Sequence, residues 1–415
     1  MYNRLLEFLN RGQILSDNQY GFRKKHSTSY ALTKLFDKLS CAIDNREIAV
    51  GVFIDLSKAF DTVDHEILLE KLEHYGIRGV AHNWFRSYLS NRQQYVEFNS
   101  TFSPCQQIRC GVPQGSILGP LLFLVYINDL CNVSTALEFI LFADDTNIFF
   151  SHKDRSTLST IFNLEMSKLS DWCRANKLSI NLKKSNFMVF QPRQKRQKFD
   201  LAFSIDGSPI ERVKETVFLG VVIDENLTWK PHILNVSRKI SKSIGILYKS
   251  SFCLSTAALR ILYYSLIYPY LIYCVSVWGS TYNSNIKKIV TLQKKAIRIV
   301  AKVSFDSHTD PIFRELEVLK FNDIVLFHLG KFMFFFCKGL LPNAFNDMFT
   351  PTNHIHSYDT RNSSKFYIPF FRTNIRKFSI RYQGPKFYNS LDSEIKSSES
   401  TARFCKNLKR FLLSR

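Results

Sequence analysis

With 415 residues, the chain is long enough for two or three domains around a sizeable core. Its charge, +21 from 56 Lys and Arg against 35 Asp and Glu, points to a polyanionic partner, most simply nucleic acid. Nine cysteines, an odd number without any C-x-x-C pair, argue against a disulfide framework and a zinc ribbon and suit a reducing compartment, and the first residues lack the apolar run of a signal peptide.

Residues 3–10 and 27–44 read as helices, the second from Leu32, Leu35, Phe36 and Leu39 at helical spacing. The apolar run from Ile48 to Leu56 predicts a buried strand. A helix follows from about Thr62 to Tyr75, with Asp61 as N-cap, Asp64 in the first turn and Gly76 as the stop. Ser116 to Leu130 reads as helical. Phe139–Phe142 and Thr146–Phe150 are short apolar strands with Ala-Asp-Asp between them. Ser156 to Asn176 is an amphipathic helix through Leu158, Phe162, Met166 and Leu169. Strands are expected at Phe187–Phe190, Leu201–Ile205 and Val217–Ile223, with a basic loop at 191–198. From Pro231 the pattern turns helical, at 231–249, 255–267 and 285–302, then at 313–340 and 400–413 around an unassigned stretch. The uncharged run Ile261–Gly279 could nearly span a bilayer by length, yet Pro269 and five Tyr suit buried helices joined at a proline better.

The mixed α and β part thus ends near 225, and the charge changes there too. Residues 1–225 hold 27 basic and 25 acidic side chains, whereas 226–415 hold 29 and 10, and Asn226–Phe305 contains no acid at all. A surface charged only for solubility mixes the two signs. The basic half therefore reads as an electrostatic footprint, and the near-neutral half holds its acids for another purpose.

Those acids stand in unusual places. Asp144 and Asp145 are adjacent carboxylates at the tip of a predicted hairpin of apolar strands. Turns favour Asp for backbone reasons alone, but two acids side by side repel unless a cation offsets them. Asp55 follows Val52-Phe53-Ile54 at the end of a buried strand, a poor home for a lone carboxylate. If the two strand systems are neighbours in one sheet, three carboxylates form a hard-oxygen site suited to magnesium. The third element, Gly111 to Ser116 (GVPQGS), opens a helix whose N-terminal amides attract anions, or else is an ordinary loop before a buried helix.

Together these segments resemble the reverse transcriptase family. FIDLSKAFD (Phe53–Asp61) is similar to its motif A, GVPQGSILGPLLF (Gly111–Phe123) to motif B and FADD (Phe142–Asp145) to motif C. LSINLKKSNFMVF (Leu178–Phe190) is similar to motif D, and FLGVVID (Phe218–Asp224) to motif E. QYGFRKKHST (Gln19–Thr28) looks like the element before motif A in polymerases of LINE (non-LTR) retrotransposons. RNSSKF (Arg361–Phe366) and QGPKFYNSL (Gln383–Leu391) are similar to C-terminal regions of those elements.

The resemblance implies an α+β right-hand polymerase, with partial fingers and palm in 1–225, a helical thumb in 226–305 and a basic C-terminal region in 306–415. It implies an RNA template, a DNA primer and deoxynucleoside triphosphates as partners, and no membrane. Asp55, Asp144 and Asp145, with the carbonyl of Leu56, would bind two Mg2+ ions, or Mn2+ in their place. Phe60 would be the steric gate against a 2′-hydroxyl, unless it is simply a core phenylalanine. Gln114 and Gly115 would line the nucleotide and template pocket. Lys184 would give a proton to pyrophosphate, with Lys183 an equal contender. Arg23, Lys24 and Lys25 would touch template phosphates, or form a solvated basic face. Lys287, Lys288, Lys294, Lys295 and Arg298 would grip the phosphates of a duplex from one thumb helix.

The chain departs from the family at its start, where a basic Arg-Pro-Ile-Ser-like stretch of the fingers is expected before Met1 and is absent. Two other readings therefore stand beside the polymerase: a catalytically silent remnant that only binds nucleic acid, and another palm polymerase such as an intron maturase or a viral RNA polymerase. Gln114, Gly115 and Phe60 favour a reverse transcriptase over the viral enzyme, and FADD with the C-terminal segments favours a LINE element over the maturase.

Overall fold

The computed structural model describes residues 1–190, 201–352 and 365–415. The basic loop expected at 191–198 and the first four residues of Arg361–Phe366 lie outside them. The fold mixes helix and sheet, and the chain divides by its contacts into two units. The first comprises Met1–Ser27, Ile48–Val189 and, among the described residues, 201–213; the second comprises Thr28–Glu47, Phe190 and, from Lys214 on, the rest of the described chain.

The first unit is organised by a five-stranded sheet in the order Glu211–Arg212, Asn186–Phe190, Ile48–Ile54, Asp145–His152, Glu138–Phe142. The central strand Ile48–Ile54 is buried at every residue but its first, which is why it is nearly all apolar rather than alternating. It runs antiparallel to Asp145–His152 from Ile48↔His152 to Ile54↔Thr146. That strand joins Glu138–Phe142 through a two-residue turn, Ala143–Asp144, closed by the pair Phe142↔Asp145.

Val50, Val52, Ile54, Ile148 and Phe150 share one core with three helices, His65–His74, Leu118–Ile127 and Arg155–Ala175. Leu118–Ile127 is buried at every position except Pro120, so it is apolar all round. Replacing one of its leucines by alanine costs about 2–5 kcal/mol, because a cavity remains beside the sheet.

Several local expectations shift. The helix expected from Thr62 begins at His65, and its N-cap is Asp64, whose carboxylate accepts from the amides of Glu66 and Ile67 at 3.1 Å each. Asp61 is engaged elsewhere, by Gln114. The helix expected over Ser116–Leu130 is regular only from Leu118 to Ile127 and tightens into a 3-10 turn at Asn128–Asn132. The single strand expected at Val217–Ile223 is a hairpin of Glu215–Phe218 and Val221–Asp224. Its turn residues Leu219 and Gly220 both have positive φ, 46° and 76°, the pattern of a type I′ turn. The strand expected at Leu201–Ile205 shrinks to Ser204–Ile205.

In the second unit, Lys230–Ser250 packs against Asn283–Ala301, and Phe321–Cys337 packs against Ile380–Asn389 and Thr401–Leu413. The Asp224 carboxylate takes the amides of Thr228 and Trp229, fixing the entry into Lys230–Ser250. The run Ile261–Gly279 breaks into Thr256–Leu266, Tyr268–Ile272 and Val275–Trp278, and among the described residues no helix is long and apolar enough to cross a membrane. Asp37, on the helix Thr28–Asp44, is buried with Arg376 at 2.6 Å and Arg381 at 3.0 Å.

Candidate active site

The sheet register sets the acids. Ile54 pairs with Thr146, so the next residue on the central strand, Asp55, emerges beside Asp145 at the same end of the sheet. Adjacent strands lie about 4.8 Å apart, which puts the three backbone positions within one side chain's reach of each other. The carboxyls of Asp144 and Asp145 are both pushed above the ordinary range. Loss of hydration is the larger cause; Asp55 then acts on both, and Asp144 on Asp145. Each acid thus feels negative charge that the surrounding protein does not cancel. An all-oxygen donor set of this kind fits a hard divalent cation. Among the described residues no three His, Cys, Asp or Glu side chains form a ligand cluster.

Asp55 is braced by the segment Leu178–Phe190. Its backbone N–H donates to Ser185 Oγ at 3.2 Å, and its carbonyl accepts from the Asn181 amide at 2.8 Å. Its Oδ2 accepts from Asn181 Nδ2 at 2.9 Å and lies 3.8 Å from Lys184 Nζ. Lys184 is thus beside an acid of the site, while Lys183 is exposed. Leu56, the expected carbonyl ligand, is buried, and a bridge to Ile180 holds it.

The loop Gly111–Ser116 is stitched to the turn after Asp55. The Gly111 amide donates to Val63 O at 2.7 Å and the Val112 amide to Phe60 O at 2.9 Å. Gly111 has φ 88°, and a Cβ there would sit 2.7 Å from the Asp61 carbonyl oxygen, so only glycine fits. Gln114 Nε2 donates to Asp61 Oδ1 at 2.8 Å. Gln114 and Gly115 are exposed, and a Cβ on Gly115 would meet nothing within 4 Å, leaving open space beside that backbone. Phe60 is half-buried, stacked on Phe123 at 4.2 Å between centroids and edge-on to the exposed Phe22 at 6.4 Å.

The basic residues divide. Lys24 and Lys25 are exposed, whereas Arg23 turns inward: its Nη1 donates to the carbonyls of Ser16 and Gln19, and burial lowers its pKa. Arg23 therefore braces its own loop rather than lying free for template phosphates. On Asn283–Ala301, Lys287, Lys288 and Lys295 are exposed and Lys294 is half-buried. Arg298 Nε donates to Ser307 O at 2.8 Å, closing the helix onto the loop that follows.

Three residues at this site lie in segments marked by the sequence but carried no individual signal there: Asn181, Ser185 and Gln19. The Gln19 carboxamide is buried against the Ala143 backbone. Each acts through a hydrogen bond to a residue more than a hundred positions away, which leaves no periodic trace.

Comparison with known proteins gives the family. The family described as reverse transcriptase (RNA-dependent DNA polymerase) matches residues 1–223. The probable RNA-directed DNA polymerase from transposon BS of Drosophila melanogaster is 26% identical over 346 residues, 80% of this chain and 37% of the relative. The RNA-directed DNA polymerase from mobile element jockey of the same fly is 28% identical over 77% of this chain and 36% of the relative. The chain thus spans little more than a third of the curated relatives it matches. Among solved structures, apo telomerase from Candida tropicalis aligns over 78% of this chain and 54% of its own, with 11% identity and a TM-score of 0.42, too loose a likeness to carry an argument.

Proposed function

The chain belongs to the reverse transcriptase family, and from that membership we propose that it is the polymerase part of a LINE-type (non-LTR) retrotransposon protein, extending a DNA primer along an RNA template. Asp55, Asp144 and Asp145, with the Leu56 carbonyl, would hold two divalent cations, Mg2+ or Mn2+. Bound there, such ions supply the charge that activates a primer 3′-hydroxyl and stabilises departing pyrophosphate.

The protein's own groups do the rest. Asn181 fixes the carboxylate plane of Asp55. Lys184 carries a proton toward pyrophosphate. The Phe60 ring, backed by Phe123, fills the space a 2′-hydroxyl would need. Gln114 and Gly115 line the nucleotide and template pocket. On this reading residues 1–225 serve as partial fingers and palm. Residues 226–305 serve as a thumb that offers Lys287, Lys288 and Lys295 to duplex phosphates.

The observation that supports the reading is the register Ile54↔Thr146, one residue from Asp55 on one strand and from Asp145 on the other. The test is dTTP incorporation on poly(rA)–oligo(dT) with Mg2+, for the wild-type chain and for Asp144→Ala. Incorporation that falls to background in the variant supports the polymerase. Incorporation that survives the substitution overturns it, and duplex binding without incorporation in both proteins favours a binding-only role.

A further inference from the structure

The turn that carries Asp144 is built on the wrong residue. Its two tip positions are Ala143 and Asp144, and the positive φ, 56°, falls on the first, as in a type II′ turn. Glycine is the residue that suits that position. Alanine there carries strain of about 1–3 kcal/mol unless its surroundings hold it.

What holds it is Gln19. The Gln19 side chain is 2% exposed, and its carboxamide grips both backbone groups of Ala143. Oε1 accepts from the Ala143 amide at 2.9 Å, and Nε2 donates to the Ala143 carbonyl at 3.3 Å. The same Oε1 accepts from the Gly21 amide at 2.8 Å, which fixes the carboxamide plane. On either side of Gln19 the backbone is tied to the strand before the turn: the Tyr20 amide donates to Leu141 O at 2.7 Å, and the Leu141 amide donates to Asn18 O at 2.9 Å. A Cβ on Gly21 would collide with the Ala143 amide nitrogen, so the approach is as close as a backbone permits. Glu138–Phe142 is the edge strand of the sheet, and Asn18–Gly21 covers its otherwise open rim just before the turn.

We propose that Gln19 is a positioning residue that locks the Ala143–Asp144 turn in the conformation from which Asp144 and Asp145 bind metal, a proposal that rests on the polymerase reading above. The lock acts on the backbone and touches neither the metal nor the substrate. Its loss lets Ala143 relax to negative φ, which swings the peptide that carries Asp144. Outer partners of metal ligands typically govern affinity by about 10–100-fold.

The experiment follows Mn2+ binding to the full chain by the electron paramagnetic resonance signal of free Mn2+, with far-UV circular dichroism and dTTP incorporation alongside. Gln19→Ala, and Gln19→Glu, which loses the donor to Ala143 O, are expected to weaken Mn2+ binding about tenfold or more. Binding of primer–template should stay unchanged. Adding Ala143→Gly to Gln19→Ala should restore much of the metal affinity, because glycine takes the turn unaided. Folded Gln19 variants that bind Mn2+ as the wild type does would overturn the proposal. So would a loss that Ala143→Gly leaves untouched, and so would unfolding of both Gln19 variants, which would make the clamp a folding contact only. Asp144→Ala separates the two levels. If it also binds Mn2+ normally, the polymerase reading falls; if it loses the ion while the Gln19 variants keep it, only the clamp falls.

Discussion

Phe60 lies flat on Phe123 and cannot retreat, because Phe123 is fully buried. Shortening the side chain opens the space it fills. Phe60→Val is expected to raise kcat/KM for rUTP relative to dTTP by at least about tenfold, the usual scale for a pocket that gains room for one small group. An unchanged ratio would remove Phe60 from sugar selection. His232 makes a different prediction. It is 3% exposed, its Nδ1 accepts from the Val222 amide at 3.3 Å, and burial, aided by the charge of Lys239, lowers its pKa from 6.5 to about 4. Between those values the unfolded chain binds a proton that the folded chain refuses. The stability contribution is therefore fully present above pH 6.5 and is lost as pH falls toward 4. At 1.36 kcal/mol per pH unit the loss approaches about 3 kcal/mol. His232→Asn keeps an acceptor without the titration. Urea denaturation at pH 7.5 and 4.5 should show the wild type losing more stability than the variant, and parallel losses would refute the assignment.

At the scale of elements, the helix Thr28–Asp44 is held by charge. Asp37 meets Arg376 Nη1 at 2.6 Å and Arg381 Nη2 at 3.0 Å, and Arg376 also donates to Ser40 Oγ at 2.9 Å. Breaking such a buried cluster from one side strands a cation in a dry site. Asp37→Ala is expected to cost about 3–5 kcal/mol in guanidinium denaturation; a cost below about 1 kcal/mol would mean that water reaches the arginines. Nothing in the sequence marks Asp37, which looks like a polar residue on the outer face of an amphipathic helix. What the sequence did disclose is periodic or compositional. The apolar run Ile48–Ile54 and the helical stripe of Arg155–Ala175 were readable because burial dictates their pattern. The placement of Asp55, Asp144 and Asp145 at one end of the sheet was readable because carboxylates at the ends of apolar strands have few structural excuses. The hairpin at Glu215–Asp224 was implied by the likeness of Phe218–Asp224 to motif E but not by periodicity, since its turn rests on a left-handed Leu219 that no propensity announces. The paired ribbons Gln93–Gln94 with Gln106–Gln107, and Glu97–Phe98 with Thr101–Phe102, were also missed. They are exposed on both faces and lack the alternation that one buried face imposes.

The whole molecule is set by its charge of +21, of which +19 falls beyond residue 225. Phosphate contacts release counterions, so six or more of them would lower primer–template affinity by about a thousandfold or more between 50 and 200 mM salt. Replacing Lys287, Lys288 and Lys295 together by alanine should reduce the log–log salt slope by roughly 2 to 3, read by fluorescence anisotropy. A slope unchanged by the triple substitution would move the duplex elsewhere. The second unit has one further consequence, which concerns synthesis rather than binding. The partner of Asp37 lies 339 residues downstream. At about 5–20 residues per second a ribosome needs roughly 20 to 70 s to deliver it. Throughout that interval the nascent helix carries a lone acid on the face it must bury. The unit can close only once Arg376 has been made, so a fragment ending before Arg376 is expected to leave that buried carboxylate without its cation and to aggregate on expression.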